Sequence, residues 1–139
     1  MKLKIVVVGK LKSRAMADLV GDYAKRIGHY LPFELVVVKN DSSTKLDRDD
    51  FLVVCDEHGE ETTSKGLADF ISQHQRVGTK RLTFFIGDAK GVTPEMKERA
   101  RTTLSLSKMT FPHELCRVIL LEQVYRACTI LRGEKYHYY

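Results

Sequence analysis

The sequence lacks any apolar run long enough to cross a membrane. A helix that spans a bilayer needs roughly 20 apolar residues, and no run in the 139 residues approaches that length. The apolar run near the start, IVVVG at 5–9, has five residues with its glycine, whereas the core of a secretory signal has about 7–15. This run is more typical of a first strand, and the sequence predicts a cytoplasmic protein with no membrane partner.

Cysteine is also scarce. The three cysteines, Cys55, Cys116 and Cys128, are far apart, form no CxxC motif and have no histidine pair at the spacing of a zinc site. Free cysteines in apolar surroundings behave as small buried hydrophobes. We therefore expect reduced thiols in the core and no metal site.

What the sequence does contain is an ordinary globular composition, with 43% hydrophobic and 29% charged residues. This length and composition predict one domain over 1–139 with a sizeable core. The net charge of +5 is uneven, because residues 1–40 carry +5, residues 41–64 carry −6 and residues 65–139 carry +6. Two basic ends suggest a polyanionic partner, with RNA the leading candidate, although many soluble enzymes are equally basic.

Strand-like and helix-like patterns alternate along the chain. Short runs rich in β-branched residues predict strands at 3–8, 33–38, 51–55 and 81–86. Apolar residues at helical spacing predict helices from Ser13 to Gly28, around Leu67, from about Thr93, and from about Pro112 to Leu131. The polar or turn-rich segments 40–50 and 56–64 predict loops. The alternation predicts an α/β domain with a mostly parallel sheet.

The segment LSLSKMTFPH at 104–113 begins as a strand and then breaks the pattern. Leu104 and Leu106 alternate with serines, as in a half-buried strand, but Lys108 falls where the next apolar residue is due. The apolar residues that follow fall at odd instead of even positions, and in a strand they would face the other side of the sheet. We expect the chain to leave the sheet at Ser107-Lys108 and to form an irregular junction before the last helix.

Three segments are placed where an open α/β sheet binds ligands, beyond the carboxyl ends of its strands. They are 55–59, 87–91 and 106–112. Gly87 and Gly91 in the second segment let the backbone approach a ligand just before a helix begins. A tight turn between strand and helix needs the same glycines, and the loop is neither GxGxxG nor a Walker A motif.

The last helix is apolar around much of its circumference. This breadth is typical of a core helix, or of a helix that packs on the sheet and also on a second subunit. Arg117 and Arg126 are expected on its polar side, and Arg126 follows Glu122 by four residues, the spacing of an ion pair.

The tail, RGEKYHYY at 132–139, is rich in aromatic residues. Its rings predict either docking on the core or stacking on unpaired bases. In the second case His137 could exchange a proton near neutral pH, and Arg132 and Lys135 could bind phosphates.

Several segments, taken in order, carry a resemblance to a known family. The chain resembles the ribosomal large subunit methyltransferase H family in VVVGKLKS (6–13), YAKRIGHY (23–30), IGDAKGVTP (86–94), LSLSKMTFPH (104–113), RVILLEQVYRA (117–127) and RGEKYH (132–137). The likeness covers nearly the whole chain. It implies a homodimer and a SPOUT-class fold, an α/β parallel sheet with helices on both faces and a C-terminal trefoil knot.

The resemblance also implies a reaction and a partner. The reaction is transfer of a methyl group from S-adenosyl-L-methionine to N3 of a pseudouridine in 23S rRNA, on the assembled ribosome. By position, the cofactor would be bound by Cys55, Gly87, Leu106, Ser107, Lys108, Met109, Thr110 and Phe111. His137 and Tyr136 would be the catalytic residues. RNA contacts are expected from Arg126, Arg132, Lys135 and Tyr138.

The chain departs from the family pattern in three places. Asp88 stands where the family has a second glycine, the region 40–50 is shorter, and the tail ends in Tyr138-Tyr139 instead of a basic residue. Two alternatives are therefore kept: a ribosome-binding factor with altered catalysis, and another SPOUT enzyme such as a tRNA ribose methylase. Methyl transfer to ribosomes, free 23S rRNA and tRNA distinguishes them.

Overall fold

A five-stranded sheet forms the centre of the computed structural model, which describes residues 1–46 and 48–138. Asp47 and Tyr139 lie outside the described residues. The strands are β1 (Lys2–Val8), β2 (Phe33–Val38), β3 (Asp50–Glu61), β4 (Arg81–Ile86) and β5 (Thr102–Ser105). The helices are α1 (Arg14–Gly28), α2 (Ser64–Arg76), α3 (Pro94–Arg99) and α4 (His113–Leu131), with a 3-10 turn at Asp41–Ser43.

The sheet is parallel, with strand order β2-β1-β4-β3-β5. Parallel strands run in one direction across a sheet, so the segments after β4 and β5 lie at the same edge as the later part of β3. The predicted α/β class and parallel sheet are confirmed. The strand order thus brings the three candidate segments of the sequence to one edge.

The central strands β1 and β4 are buried on both faces because their sequences are almost continuously apolar. From Ile5 to Val8, each side chain of β1 is at most 2% exposed. Ile5 lies in register with Leu35 of β2 and Phe84 of β4. Burying a side chain of this size contributes about 1.5–3 kcal/mol, so these strands anchor the fold.

The helices cover the two faces unequally. One buried cluster joins α1, α2 and α4 to one face of the sheet, while a smaller cluster packs Met96 of α3 on the other face. Ser13, Thr63 and Thr93 cap the N-termini of α1, α2 and α3, each accepting a backbone N–H of the first turn. The predicted cap at Ser13 and the predicted start of a helix at about Thr93 are confirmed.

Strand β3 is longer than the sequence predicts. The segment 56–64 was expected to be a loop, but β3 continues to Glu61, and Glu60 and Glu61 pair with β5 after a register shift that begins at Cys55. The intervening residues bulge, and Gly59 lies so close to β5 that a Cβ atom there would be 3.0 Å from the backbone nitrogen of Leu104. Turn-forming residues therefore make a bulge within a strand.

Strand β5 ends earlier than the alternation of leucines predicts. It stops at Ser105, which is 4% exposed, and Leu106 already belongs to the following loop. The buried hydroxyl of Ser105 lies 3.1 Å from the carbonyl oxygen of Glu57 and 2.9 Å from that of Ser107. These polar partners explain why a serine occupies a buried position.

Helix α4 packs against α1, α2 and β4. Packing within the chain therefore accounts for much of its broad apolar surface. In residues 1–46 and 48–138, every helix is too short or too polar to reach across a membrane.

Candidate active site

A cleft of about 300 Å³ opens at the carboxyl end of β4, beside residues 55–57 of β3. Three segments and the start of α4 form its walls. Its lining residues are Cys55, Asp56, Glu57, Ile86, Gly87, Asp88, Ala89, Lys90, Gly91, Val92, Leu106, Ser107, Met109, Thr110, Phe111, His113 and Cys116. The structure therefore brings together all three segments that the strand-end rule selected.

The glycine loop after β4 is a tight turn that leads into α3. The backbone N–H of Gly91 donates to the carbonyl of Asp88 at 2.9 Å, and Oδ1 of Asp88 accepts the N–H of Lys90 at 2.9 Å. Gly91 has φ +88°, a left-handed conformation that favours glycine. Asp88, which stands in place of a second glycine, helps to hold this turn through its side chain.

Gly87 is required by the loop itself. A Cβ atom at Gly87 would lie 2.5 Å from the carbonyl oxygen of Gly91 and 3.2 Å from Cγ2 of Val92. The space that a side chain would fill is taken by the returning backbone. Of the two interpretations of this glycine, the structure favours the tight turn.

The loop 106–111 is attached to the bulge of β3. The hydroxyl of Thr110 donates to Oε2 of Glu57 at 2.6 Å. The hydroxyl of Ser107 accepts the N–H of Met109 at 3.0 Å, and so stabilises the loop internally. The register break therefore produces a loop that forms one wall of the cleft, as the sequence predicts.

Lys108 is the one predicted cofactor residue whose side chain does not line the cleft. Its Nζ lies 3.4 Å from Oε1 of Glu61, and its side chain is 82% exposed. The other seven predicted cofactor residues line the cleft: Cys55, Gly87, Leu106, Ser107, Met109, Thr110 and Phe111.

The titratable groups of the cleft give it a neutral apolar wall and a negative wall. Burial raises the pKa of Cys55 to about 12 and also raises that of Cys116, so both thiols are protonated at neutral pH. Burial would raise the pKa of Asp56, but the N–H of His58 and the Lys97 ammonium outweigh it and hold that pKa below its usual value. Asp56 is therefore ionised, 3.0 Å from Lys97.

The start of α4 is attached to the loop after β1. Oε1 of Glu114 accepts the backbone N–H groups of Lys12 and Ser13, each at 3.1 Å. Arg117 is 1% exposed, and its Nη2 donates to the carbonyls of Val8 and Gly9. The expectation that Arg117 faces the polar side was wrong, because the carbonyls at the end of β1 need a donor and Arg117 supplies it.

The tail docks on α4 of the same chain. The phenol of Tyr136 donates to Oε2 of Glu122 at 2.7 Å, and its ring is 4.7 Å from that of Tyr125. Burial, with Glu122 and then Tyr23, raises the pKa of Tyr136. Nη1 of Arg126 lies 3.2 Å from Nδ1 of His137. Arginine only donates, so Nδ1 is unprotonated in this contact.

The structure of one chain does not bring the predicted catalytic residues into the cleft. Neither Tyr136 nor His137 is among its lining residues. The predicted RNA-binding residues lie at the same end of α4 and in the tail: Arg126 takes part in the Glu122 network, Arg132 and Lys135 are exposed, and Tyr138 is 87% exposed. The predicted Glu122–Arg126 ion pair is present, at 2.7 Å.

Sequence reasoning missed His113 and Cys116 as lining residues. A usable signal was present, because the first turn of a helix faces the loop that leads into it. Within the described ranges, no cluster of three or more histidine, cysteine or acidic side chains is arranged to bind a metal ion.

The fold and the cleft define a class of protein. The family described as "Predicted SPOUT methyltransferase" matches residues 1–137. The chain therefore belongs to the SPOUT methyltransferase family.

The curated relatives place the chain within that family. A protein from Coprothermobacter proteolyticus named "Ribosomal RNA large subunit methyltransferase H" is 43% identical over 138 residues, covering 99% of both chains. A protein of the same name from Koribacter versatilis is 43% identical over 143 residues, with 99% and 98% coverage. The chain belongs to the ribosomal RNA large subunit methyltransferase H group of the SPOUT methyltransferases.

Two solved structures share the fold at low sequence identity. A probable methylase family protein from Haemophilus influenzae has a TM-score of 0.57 at 13% identity, over 99% of this chain and 70% of that one. The SpoU methyltransferase AviRb from Streptomyces viridochromogenes, solved in complex with AdoMet, has a TM-score of 0.53 at 15% identity, over 90% and 57%. At these identities the likeness supports the fold alone.

Proposed function

We propose that this chain transfers a methyl group from S-adenosyl-L-methionine to N3 of a pseudouridine in 23S rRNA of the assembled ribosome. The observation that carries the proposal is the cleft at the carboxyl end of β4, beside residues 55–57 of β3, in a chain that matches the family over 1–137. The curated relatives carry an rRNA methyltransferase name, and the neighbour AviRb was solved with AdoMet.

The residues of the cleft fit a nucleoside that carries positive charge. Ile86, Leu106 and Phe111 offer apolar surface to a purine. Glu57 offers negative charge to a sulfonium or an ammonium group on the other side, while the charge of Asp56 is already paired with Lys97. When bound, the sulfonium supplies an electrophilic methyl carbon, so the protein needs no metal for this chemistry.

The chain's own residues then have two tasks. The acceptor N3 is an imide-like N–H, which must be aligned with the methyl carbon and must lose its proton. We assign to His137 either help with this deprotonation or orientation of the base; its Nδ1 lies 3.2 Å from Nη1 of Arg126. Tyr136, held by Glu122, positions the tail in which His137 lies.

This assignment requires a second subunit, since the tail of one chain does not line its own cleft. We infer a homodimer in which the tail of one protomer reaches the cleft of its partner. Apolar side chains that stay partly exposed on α1 and α4 support the inference, because Leu19 is 42% exposed and Leu115 and Ile119 are half-buried. As part of the same proposal, the chain forms a single domain over 1–139 with a C-terminal trefoil knot. The protein is proposed to act in the cytoplasm.

Labelled methyl transfer tests the proposal. We expect label from S-adenosyl-L-methionine to enter intact ribosomes, and mapping of the product to place it at N3 of a pseudouridine. Free 23S rRNA and tRNA, assayed in parallel, should take up much less label. Label in tRNA ribose would instead establish the second SPOUT activity.

One observation favours the alternative of a ribosome-binding factor with altered catalysis. Asp88 lines the cleft where the family has a glycine, and its carboxylate is part of the loop. Calorimetry with S-adenosyl-L-methionine separates the two functions. A factor without catalysis would bind ribosomes but neither bind the cofactor productively nor transfer label.

A further inference from the structure

A second cleft, which the proposed reaction does not use, lies where α1 and α4 end. Its volume is about 410 Å³, and its walls are Arg26, His29, Tyr30, Tyr125, Arg132 and Glu134. Only Arg132 was singled out by the sequence. The cleft is open to solvent because Arg26, His29 and Arg132 are exposed.

Arginines and tyrosines alternate around this cleft. The guanidinium carbon of Arg26 lies 5.4 Å from the centre of the Tyr125 ring and 5.8 Å from that of Tyr23. The guanidinium carbon of Arg132 lies 5.1 Å from the centre of the Tyr30 ring. A cation–π contact of this kind keeps each guanidinium beside a ring while its outer N–H groups stay available.

Tyr30 is fixed in place as a neutral ring. Its hydroxyl donates to Oε2 of Glu134 at 2.9 Å. Burial, and then Glu134, raise the pKa of Tyr30 to about 12, so the phenol carries no charge that would repel an anion. Glu134 keeps its negative charge in this bond, so the cleft holds one carboxylate beside Arg26 and Arg132.

The carboxylates near the cleft do not neutralise it firmly. Asp22 lies 3.2 Å from Nε of Arg26, but both side chains are about half exposed, at 53% and 46%. Exposed pairs of this spacing contribute little to stability, so a phosphate can compete for the guanidinium. Lys25 and Lys135, next to the cleft residues in the chain, are exposed and add positive charge.

Compensation of the helix dipole does not account for the arrangement. Cations in the last turn of a helix are favourable there whatever surrounds them, and Arg76 in the last turn of α2 is such a residue. In the part of the chain that the structure describes, Arg76 has no tyrosine stacked on it. The dipole explains a charge at the end of α1, but it does not explain rings and two arginines around one cleft.

We propose that this cleft binds an unpaired nucleotide of the rRNA substrate, with Arg26 and Arg132 on its phosphate and the tyrosine rings beside its base. Proteins that recognise unpaired RNA combine guanidinium and aromatic surfaces in this way. The proposal rests on the proposed function, because it takes rRNA as the substrate. It adds a contact with RNA outside the methyl-transfer cleft.

The test is binding of a labelled single-stranded RNA 12-mer and of purified ribosomes, without cofactor. We expect R26Q and R132Q each to weaken binding about five- to tenfold. Each should also make the slope of log K against log salt less steep by about 0.7, the loss of one phosphate contact. R26K, which keeps the charge but not the planar stacking, should fall between R26Q and the unchanged protein.

R76Q is the matched control, since it removes an arginine from the last turn of another helix. The proposal would be overturned if R26Q bound RNA as tightly as R76Q does. It would also be overturned if the unchanged protein bound neither the 12-mer nor the ribosomes. A dimer that dissociates in R26Q, measured by light scattering, would assign the cleft to subunit contact instead. Failure of the proposed function has a different signature: RNA still binds through Arg26, but no label is transferred.

Discussion

Tyr136 and Glu122 are joined by a 2.7 Å hydrogen bond from the phenol to Oε2 of the carboxylate. Arg126 donates to the same oxygen at 2.7 Å, and its guanidinium carbon lies 4.8 Å from the centre of the Tyr136 ring. One carboxylate thus fixes the direction in which the tail leaves α4. The position of His137 depends on this arrangement.

We expect H137A to lower kcat about 100-fold or more while the Kd for S-adenosyl-L-methionine stays within twofold. Loss of a general base typically costs a factor of 10² to 10⁴, and His137 does not line the cofactor cleft of its own chain. Single-turnover methyl transfer and calorimetry measure the two quantities. Unchanged turnover would remove His137 from the mechanism.

Y136F isolates the positioning effect of the tyrosine. It keeps the ring on Tyr125 but loses the hydroxyl that Glu122 accepts. We expect a smaller drop in kcat than in H137A, of about fivefold to tenfold, because one hydrogen bond to a charged group is worth about 1.5–3 kcal/mol and only part of it is used for positioning. A change in cofactor affinity instead would show that the tail contributes to the cofactor site.

We expect G87A to destabilise the glycine loop and to weaken cofactor binding at least tenfold. The added methyl group would lie 2.5 Å from the Gly91 carbonyl oxygen, so the turn must move. Gly21, in the middle of α1 with nothing within 4 Å of its Cβ position, is the matched control. G21A should stabilise the protein by roughly 0.5–1 kcal/mol. Urea unfolding and calorimetry measure both variants, and a G87A protein that binds normally would contradict the prediction.

R117M should destabilise the protein by about 2–3 kcal/mol. The variant keeps much of the side-chain volume but leaves the carbonyls of Val8 and Gly9 without their donor, and a buried unpaired acceptor costs about 1–3 kcal/mol. Exposed Arg14 provides the control, since R14M should change the free energy of unfolding by less than about 0.5 kcal/mol. Equal urea midpoints for R117M and the unchanged protein would mean that the cost of burying the guanidinium cancels its hydrogen bonds.

The free energy of unfolding should fall as the pH is lowered below about 6.5, with His74 as one cause. Burial lowers the pKa of His74, which packs 4.3 Å from Phe51 and 4.6 Å from Phe70, measured between ring centres. The unfolded chain, where a histidine has a pKa near 6.5, therefore binds more protons than the folded chain as the pH falls. Stability from this site is complete above pH 6.5 and is lost on acidification.

H74Q tests this assignment by urea unfolding at pH 7.5, 6 and 5. It should be less stable than the unchanged protein at pH 7.5, because the ring packing is lost, and should lose less stability between pH 7.5 and 5. H29Q, at the exposed end of α1, is the matched control. Parallel pH profiles for H74Q and the unchanged protein would contradict the prediction.

The sequence predicted local structure well wherever neighbouring residues decide it. Ser13 caps α1 because its own hydroxyl reaches the N–H of Met16, and β4 is a strand because RLTFFI has no other way to bury its side chains. It predicted β3 poorly. DEHGEET is typical of a turn, but pairing of Glu60 and Glu61 with β5 continues the strand.

In the candidate site, too, the sequence predicted some features and missed others. The rule for strand ends selected all three segments of the cleft, because parallel strands must end at one edge. The side chain of Lys108 turns from the cleft to Glu61, a partner more than forty residues away in the chain, and its role in binding the cofactor stays a prediction. The sequence offered two interpretations of the tail, and contacts with Glu122 and Tyr125 decided that it docks.

By itself, then, the sequence determined the α/β class, the limits of most elements, the family and the edge of the sheet where the cleft lies. These follow from periodicity, caps and motifs, which are local in the chain. Only the tertiary structure decided that Arg117 is buried against the carbonyls of β1, that Gly87 serves its own turn, and that two arginines and their tyrosines from α1 and α4 form a second cleft. Such contacts join residues that are far apart in the chain. Their energies depend on distances between atoms in the folded protein, which the local sequence pattern does not predict.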